Sequence, residues 1–157
     1  MATTTAAVTL SSDLLSDSIS VSASSTLMKA GTTADGLDMV DYGVIEIVTG
    51  DQFDLLDADN PASSPIAGVM ANKANKVYIA NHATDETYYV TIMIDAQNVG
   101  RLYAGDWMFV PWNAYDPGGD DSSKNDIEVQ ALVGGPQVVE YAVFTETSAT
   151  NLDASGD

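Results

Sequence analysis

A chain of 157 residues, 45% of them hydrophobic, carries apolar material for one core, which argues against a second folded domain. Its 23 acidic residues face five basic ones, and the formal charge of -18 repels phosphate backbones and anionic lipid, so direct nucleic-acid or membrane-surface binding is not expected. The absence of cysteine excludes disulfides and thiolate metal sites.

The chain opens on a stretch rich in Ser, Thr and Ala, with no basic residue before Lys29 and no apolar run resembling a signal-peptide core, so conventional secretion is not expected. Val8 to Leu10 reads as a short strand. Ile19, Val21 and Ala23 alternate with serines as in a half-buried strand. We therefore expect residues 1–35 to form an N-terminal arm and the first strands of the same domain, 36–145 the β-sandwich body, and 146–157 a polar C-terminal tail.

Met39 to Thr49 holds a dense β-branched run closed by Gly50-Asp51, the pattern of a strand and turn. From Gln52 to Asn75 the pattern loosens. Phe53, Leu55 and Leu56 read as a short helix or loop, Pro61 and Pro65 interrupt any longer element, and a further short element is expected near Ile66 to Met70. Val77 to Asn81 and Thr87 to Asp95, joined by the polar segment 82–86, read as a β-hairpin. On its second arm Tyr88, Val90, Ile92 and Ile94 share one face, while Tyr89 and Met93 join Thr91 on a mixed face that a partner could cover.

Gln97 to Gly100 reads as a connection. Strands follow at Arg101 to Tyr103 and from Trp107 to Val110, around Gly105-Asp106, before Pro111 ends the ladder. After a polar loop, Ile127, Val129 and Ala131 alternate with Glu128 and Gln130. Gly134-Gly135-Pro136 turns the chain into a last strand, Val138 to Thr145, with Val139, Tyr141 and Val143 on one face and Glu140 on the other. Eight or nine short strands with little helical periodicity predict an all-β, antiparallel two-sheet sandwich, with a jelly roll as the favoured topology.

Catalytic signals are sparse. His82 is the only histidine, which excludes a multi-histidine metal cluster, and its place in a polar segment makes it an exposed turn residue before a catalytic base. No nucleophile elbow and no phosphate-binding glycine motif occurs. Asp116, Asp120 and Asp121 could bend oxygen ligands around calcium, but they match no EF-hand and read first as a solvated acidic turn. No catalytic residue, cofactor or metal is therefore assigned. Trp107 and Trp112 read as core or interface aromatics before a sugar-stacking platform.

The segments Val99-Gly-Arg-Leu-Tyr-Ala-Gly-Asp-Trp-Met-Phe-Val-Pro-Trp112, Asp126-Ile-Glu-Val-Gln-Ala131 and Val139-Glu-Tyr-Ala-Val-Phe144 resemble the C-terminal half of small virion proteins of tailed bacteriophages. The resemblance covers about residues 76 to 145 and points to a jelly-roll capsid decoration, or cement, protein. It implies a non-enzymatic structural protein, made in the host cytoplasm, that binds the major capsid protein outside the head, often as a homotrimer. On this reading Trp107, Phe109, Pro111 and Trp112 at the aromatic-Pro end, with Val8 and Leu10 of the arm, are the interface candidates. A tail or fibre component, a carbohydrate-binding module using Trp107 and Trp112, and a small metal-assisted enzyme are the alternatives.

Overall fold

The computed structural model describes residues 4–12, 19–29, 31–33, 35–58, 74–113 and 125–146, with backbone alone at 19–21. The acidic turn with Asp116, Asp120 and Asp121, the element expected near residues 66–70 and the tail beyond Glu146 fall outside them. The described residues form ten strands and no helix: β1 (Thr5–Ser12), β2 (Ile19–Thr26), β3 (Met39–Ile47), β4 (Gln52–Leu56), β5 (Lys76–Asn81), β6 (Tyr89–Ile94), β7 (Gln97–Tyr103), β8 (Trp107–Pro111), β9 (Ile127–Val133) and β10 (Gln137–Thr145). β1 and β2 pair as a two-stranded ribbon. The other eight form two four-stranded antiparallel sheets, ordered β3-β10-β5-β8 and β4-β9-β6-β7, packed as a sandwich.

The pairing is nested. β3 pairs with β10, β4 with β9, β5 with β8 and β6 with β7, as if one long hairpin had been folded double and rolled up. The β10–β5 and β9–β6 ladders close the roll, which is jelly-roll connectivity.

Period-2 alternation explains the clearest strands. In β9 Ile127, Val129 and Ala131 are buried, and in β10 Val139, Tyr141 and Val143. With Val77, Ile79, Val90 and Ile92 they meet between the sheets in a single core. Each fully buried valine or isoleucine among them contributes about 1.5–3 kcal/mol, so this interdigitated layer outweighs any surface contact in holding the sheets together. Gly43 lies directly opposite Tyr141, and its missing side chain makes room for the tyrosine ring.

Four readings need correction. Residues 77–95 are not a hairpin: β5 and β6 lie in different sheets, and the segment between them crosses the sandwich. Asn81 anchors the crossing. It is fully buried, its Nδ2 donates to the Leu102 carbonyl (3.0 Å) and to Gln137 Oε1 (3.1 Å), and its Oδ1 accepts from the Ala83 amide (3.0 Å). Gln137 passes the network on to the Tyr89 and Val133 carbonyls, so the polar plug is satisfied and the crossing is fixed.

Second, Phe53, Leu55 and Leu56 lie in a strand. A register shift between Asp54 and Leu56 buries both leucines and erases the alternation that would have marked β4. Third, residues 97–100 belong to β7. The turn before them is Asp95-Ala96, with φ of 52° and 53°, the left-handed pair that a two-residue hairpin of type I′ requires. Fourth, Ala23 is exposed, as are Ser22 and Ser24, so β2 is not half-buried along its described side chains.

The ribbon is anchored at its base. Leu27 and Leu37 are buried, the Leu27 amide donates to the Thr4 carbonyl (2.9 Å), and the Leu37 amide donates to the Leu27 carbonyl (2.7 Å). Lys29 pairs with Asp38 at 2.8 Å, and this hydrogen bond raises the lysine pKa. A lone two-stranded ribbon is marginal in water, so these contacts give it its fixed position.

Candidate functional site

The outward side of β3-β10-β5-β8 follows from its register. Three rows cross the sheet: Val40, Phe144, Lys76 and Pro111; Tyr42, Ala142, Tyr78 and Phe109; Val44, Glu140, Ala80 and Trp107. Four strands span about 14 Å at the usual spacing. Nine of these twelve side chains are aliphatic or aromatic, proline not counted, on a surface where a sandwich normally places polar groups. Val40 and Tyr42 are each 61% exposed, Val44 54% and Trp107 51%.

The aromatic rings are mutually ordered. Tyr78 and Trp107 stand 6.3 Å apart, and Phe109 meets Phe144 edge-on at 6.1 Å. Ala80 and Ala142 are buried between the larger neighbours although they point outward, which leaves a low floor with aromatic walls.

Glu140 is the polar centre of this face. Its carboxylate accepts hydrogen bonds from His82 Nε2 and from Tyr42, and these, the His82 bond first, hold its pKa below the usual range. The Glu140 hydrogen bond raises the Tyr42 phenol, while Tyr78 is raised by burial and then by the Glu140 charge. His82 is exposed, as expected, but it is placed beside a carboxylate rather than standing alone in a turn.

Beside this face runs a groove of about 330 Å³, lined by residues 4–8 of the ribbon, Leu27, and the rings of Tyr78, Trp107, Phe109 and Phe144. The sequence-derived candidates divide accordingly. Trp107 and Phe109 lie on the face and in the groove, Pro111 is exposed at the end of the first row, Val8 lines the groove, and Leu10 projects beyond it, 57% exposed. Trp112 turns inward. It is 4% exposed, packs in the core, and its indole N–H donates to the Asn125 carbonyl at 2.6 Å.

No protein-family model matches this chain, and no curated protein matches it in sequence. The site is therefore read from its own chemistry. Among the described residues no group of three or more His, Cys, Asp or Glu side chains is placed to hold a metal ion. No helix among them is long and apolar enough to cross a membrane.

Sequence reasoning missed Tyr42, Tyr78, Glu140 and Phe144. The signal lay in β3, where Val40, Tyr42 and Val44 occupy the positions between the inward Gly43, Ile45 and Ile47. A strand apolar on both faces departs from the apolar-in, polar-out alternation of an antiparallel sheet with one face in water. The mixed face of β6 is a different matter: Arg101 sits 4.4 Å over the Tyr89 ring, Tyr103 lies 5.3 Å from it, and Thr91 is buried.

Proposed function

We propose that this protein is a structural component of a tailed-phage virion that binds the outside of the capsid and stabilises contacts between capsomers. The supporting observation is the apolar outer face of β3-β10-β5-β8, with Val40, Tyr42, Val44 and Trp107 all more than half exposed. Scattered apolar residues are ordinary on a protein surface, but a contiguous, ordered set of them is the mark of a surface that meets another protein. The resemblance of residues 76–145 to capsid decoration proteins supplies the identity of that partner as the major capsid protein. A homotrimer would place several such faces across neighbouring capsomers.

Because the protein would bind the assembled shell and not its dissociated subunits, binding stabilises the shell by linkage. The test is to purify the particles that contain the protein, locate it by cryo-electron microscopy, and compare shell disruption temperature with and without it. Its presence on the head with a raised disruption temperature supports the proposal. Absence from heads, or a tail location, overturns it.

One observation favours a second reading, carbohydrate binding. Glu140, held by Tyr42 and His82 near the exposed Trp107, joins a hydrogen-bond acceptor to aromatic surface, although Trp112 is committed to the core. Binding to a neutral glycan that is lost in both Trp107→Ala and Glu140→Ala would favour it over the capsid reading.

A further inference from the structure

The groove beside the ribbon has an unusual wall. Successive side chains of a strand point to opposite faces, so a cleft under one face of β1 would be lined by alternate residues. Here residues 4–8 line it without a gap. A cleft under the ribbon's face would also touch β2, whose Thr26, Ser25, Ser24 and Ala23 lie opposite Thr5, Ala6, Ala7 and Val8, and none of these four lines it. The groove therefore runs along the edge of β1 that faces away from β2.

Among the described residues that edge is unpaired: β1 pairs with β2 alone, and the backbone amides and carbonyls of Thr5 and Ala7, which point away from β2, meet no described strand. An unpaired edge is a template for another strand. Below it Tyr78, Trp107, Phe109 and Phe144 form an aromatic floor that would take every second side chain of such a strand. Five residues of edge are about 17 Å long, room for a strand of about five residues.

We propose that the groove is a strand-addition site, in which an extended segment of a different protein pairs with the free edge of β1 and seats alternate apolar side chains on the aromatic floor. Charge selects the occupant. No lining residue is charged, so the seated side chains are uncharged, while the acidic surface of a chain of formal charge -18 favours a segment flanked by Lys or Arg. Only the identity of the donor as the capsid protein rests on the function proposed above; the groove and its strand chemistry do not.

The test uses the full chain and a library of short peptides with alternating Val, Ile, Leu or Phe between Lys or Arg ends, read by fluorescence anisotropy. Binding is expected to weaken with added salt, and to fall at least tenfold when the peptide backbone is N-methylated at alternate residues, which removes strand hydrogen bonds but keeps the side chains. Ala6→Trp, which fills the groove, is expected to cause a similar loss, and amide exchange at Thr5 and Ala7 to slow when peptide binds. N-methylation leaves the protein untouched, so it remains decisive if Ala6→Trp misfolds. No binding from the library, binding indifferent to N-methylation, or self-association through the groove overturns the inference. Capsid binding by the parent protein, with no binding from the peptide library, would sink the strand inference and leave the capsid reading standing. Peptide binding by a protein that no capsid recruits would do the reverse.

Discussion

The two outer faces of the sandwich share a core and differ in how their surfaces are completed. On β4-β9-β6-β7 the register brings Gln52, Asp54, Glu128, Gln130, Thr91 and Arg101 outward, and the apolar bulk of Tyr89 is covered by Arg101 and flanked by Tyr103. On β3-β10-β5-β8 the corresponding rows carry Val40, Tyr42, Val44 and Trp107, which nothing described covers. The first sheet's rows are mainly polar, with Tyr103 (42% exposed) and Val133 (43%) left beside Tyr89, whereas the second sheet's rows are mainly apolar. That difference in degree, more than any single residue, is the observation behind the proposed binding role.

The largest expected effect follows from exchanging that character. Replacing Tyr42 and Val44 together by Ser and Thr should weaken attachment to the particle at least a hundredfold, while thermal unfolding of the isolated protein moves little, because exposed substitutions usually change stability by less than about 0.5 kcal/mol. Arg101→Ala, on the opposite face, should leave attachment unchanged. Equal losses from the two variants would dissolve the distinction between the faces.

Gly43→Ala comes next. A methyl there would enter the space of the Tyr141 ring, and displacing a buried ring should destabilise the protein by about 2 kcal/mol, seen as a lower denaturant midpoint with an unchanged slope. A smaller gain is expected on the polar sheet. Ala96→Gly relieves the left-handed φ of 53° in the β6–β7 turn and should raise stability by about 0.5–1 kcal/mol.

The smallest effect is electrostatic. Burial, then the charges of Asp54, Asp126 and Asp95, raise the pKa of Glu128. A carboxyl whose folded pKa lies above its unfolded value binds more protons when folded, so its contribution to stability falls as pH rises through the interval between the two values. Glu128→Gln should therefore be slightly more stable than the parent at neutral pH, by about a few tenths of a kcal/mol after solvent screening. The difference should vanish below the ordinary carboxylate range, which urea melts across pH would show.

Particular residues explain how far the sequence could be read. β3, β9 and β10 were legible because Ile45 and Ile47, Ile127 to Ala131, and Val139 to Val143 keep the two-residue period. β4 was hidden by its bulge, and the start of β7 by Ala96, a residue that does not advertise a left-handed turn. Pairing was the harder problem. Polar residues 82–86 look like a hairpin loop, and only the buried Asn81–Gln137 contact, 56 positions apart in sequence, reveals a crossing between sheets. In the candidate site Trp107 and Phe109 announced themselves beside a Gly-Asp turn. Tyr42, Tyr78, Glu140 and Phe144 became neighbours only once the register of three ladders was known.

The nested pairing also sets a timetable for the molecule's birth. β3 leaves the ribosome early, yet its ladder partner β10 arrives roughly a hundred residues later, so the sheet carrying the apolar face cannot close during most of synthesis. The β6–β7 hairpin, joined by two residues, can form at once and offers a nucleus on which β9 and then β4 assemble. Until β10 slots between β3 and β5, the nascent chain holds an apolar strand without neighbours, and its acidic charge is then its main protection against clumping with other unfinished copies.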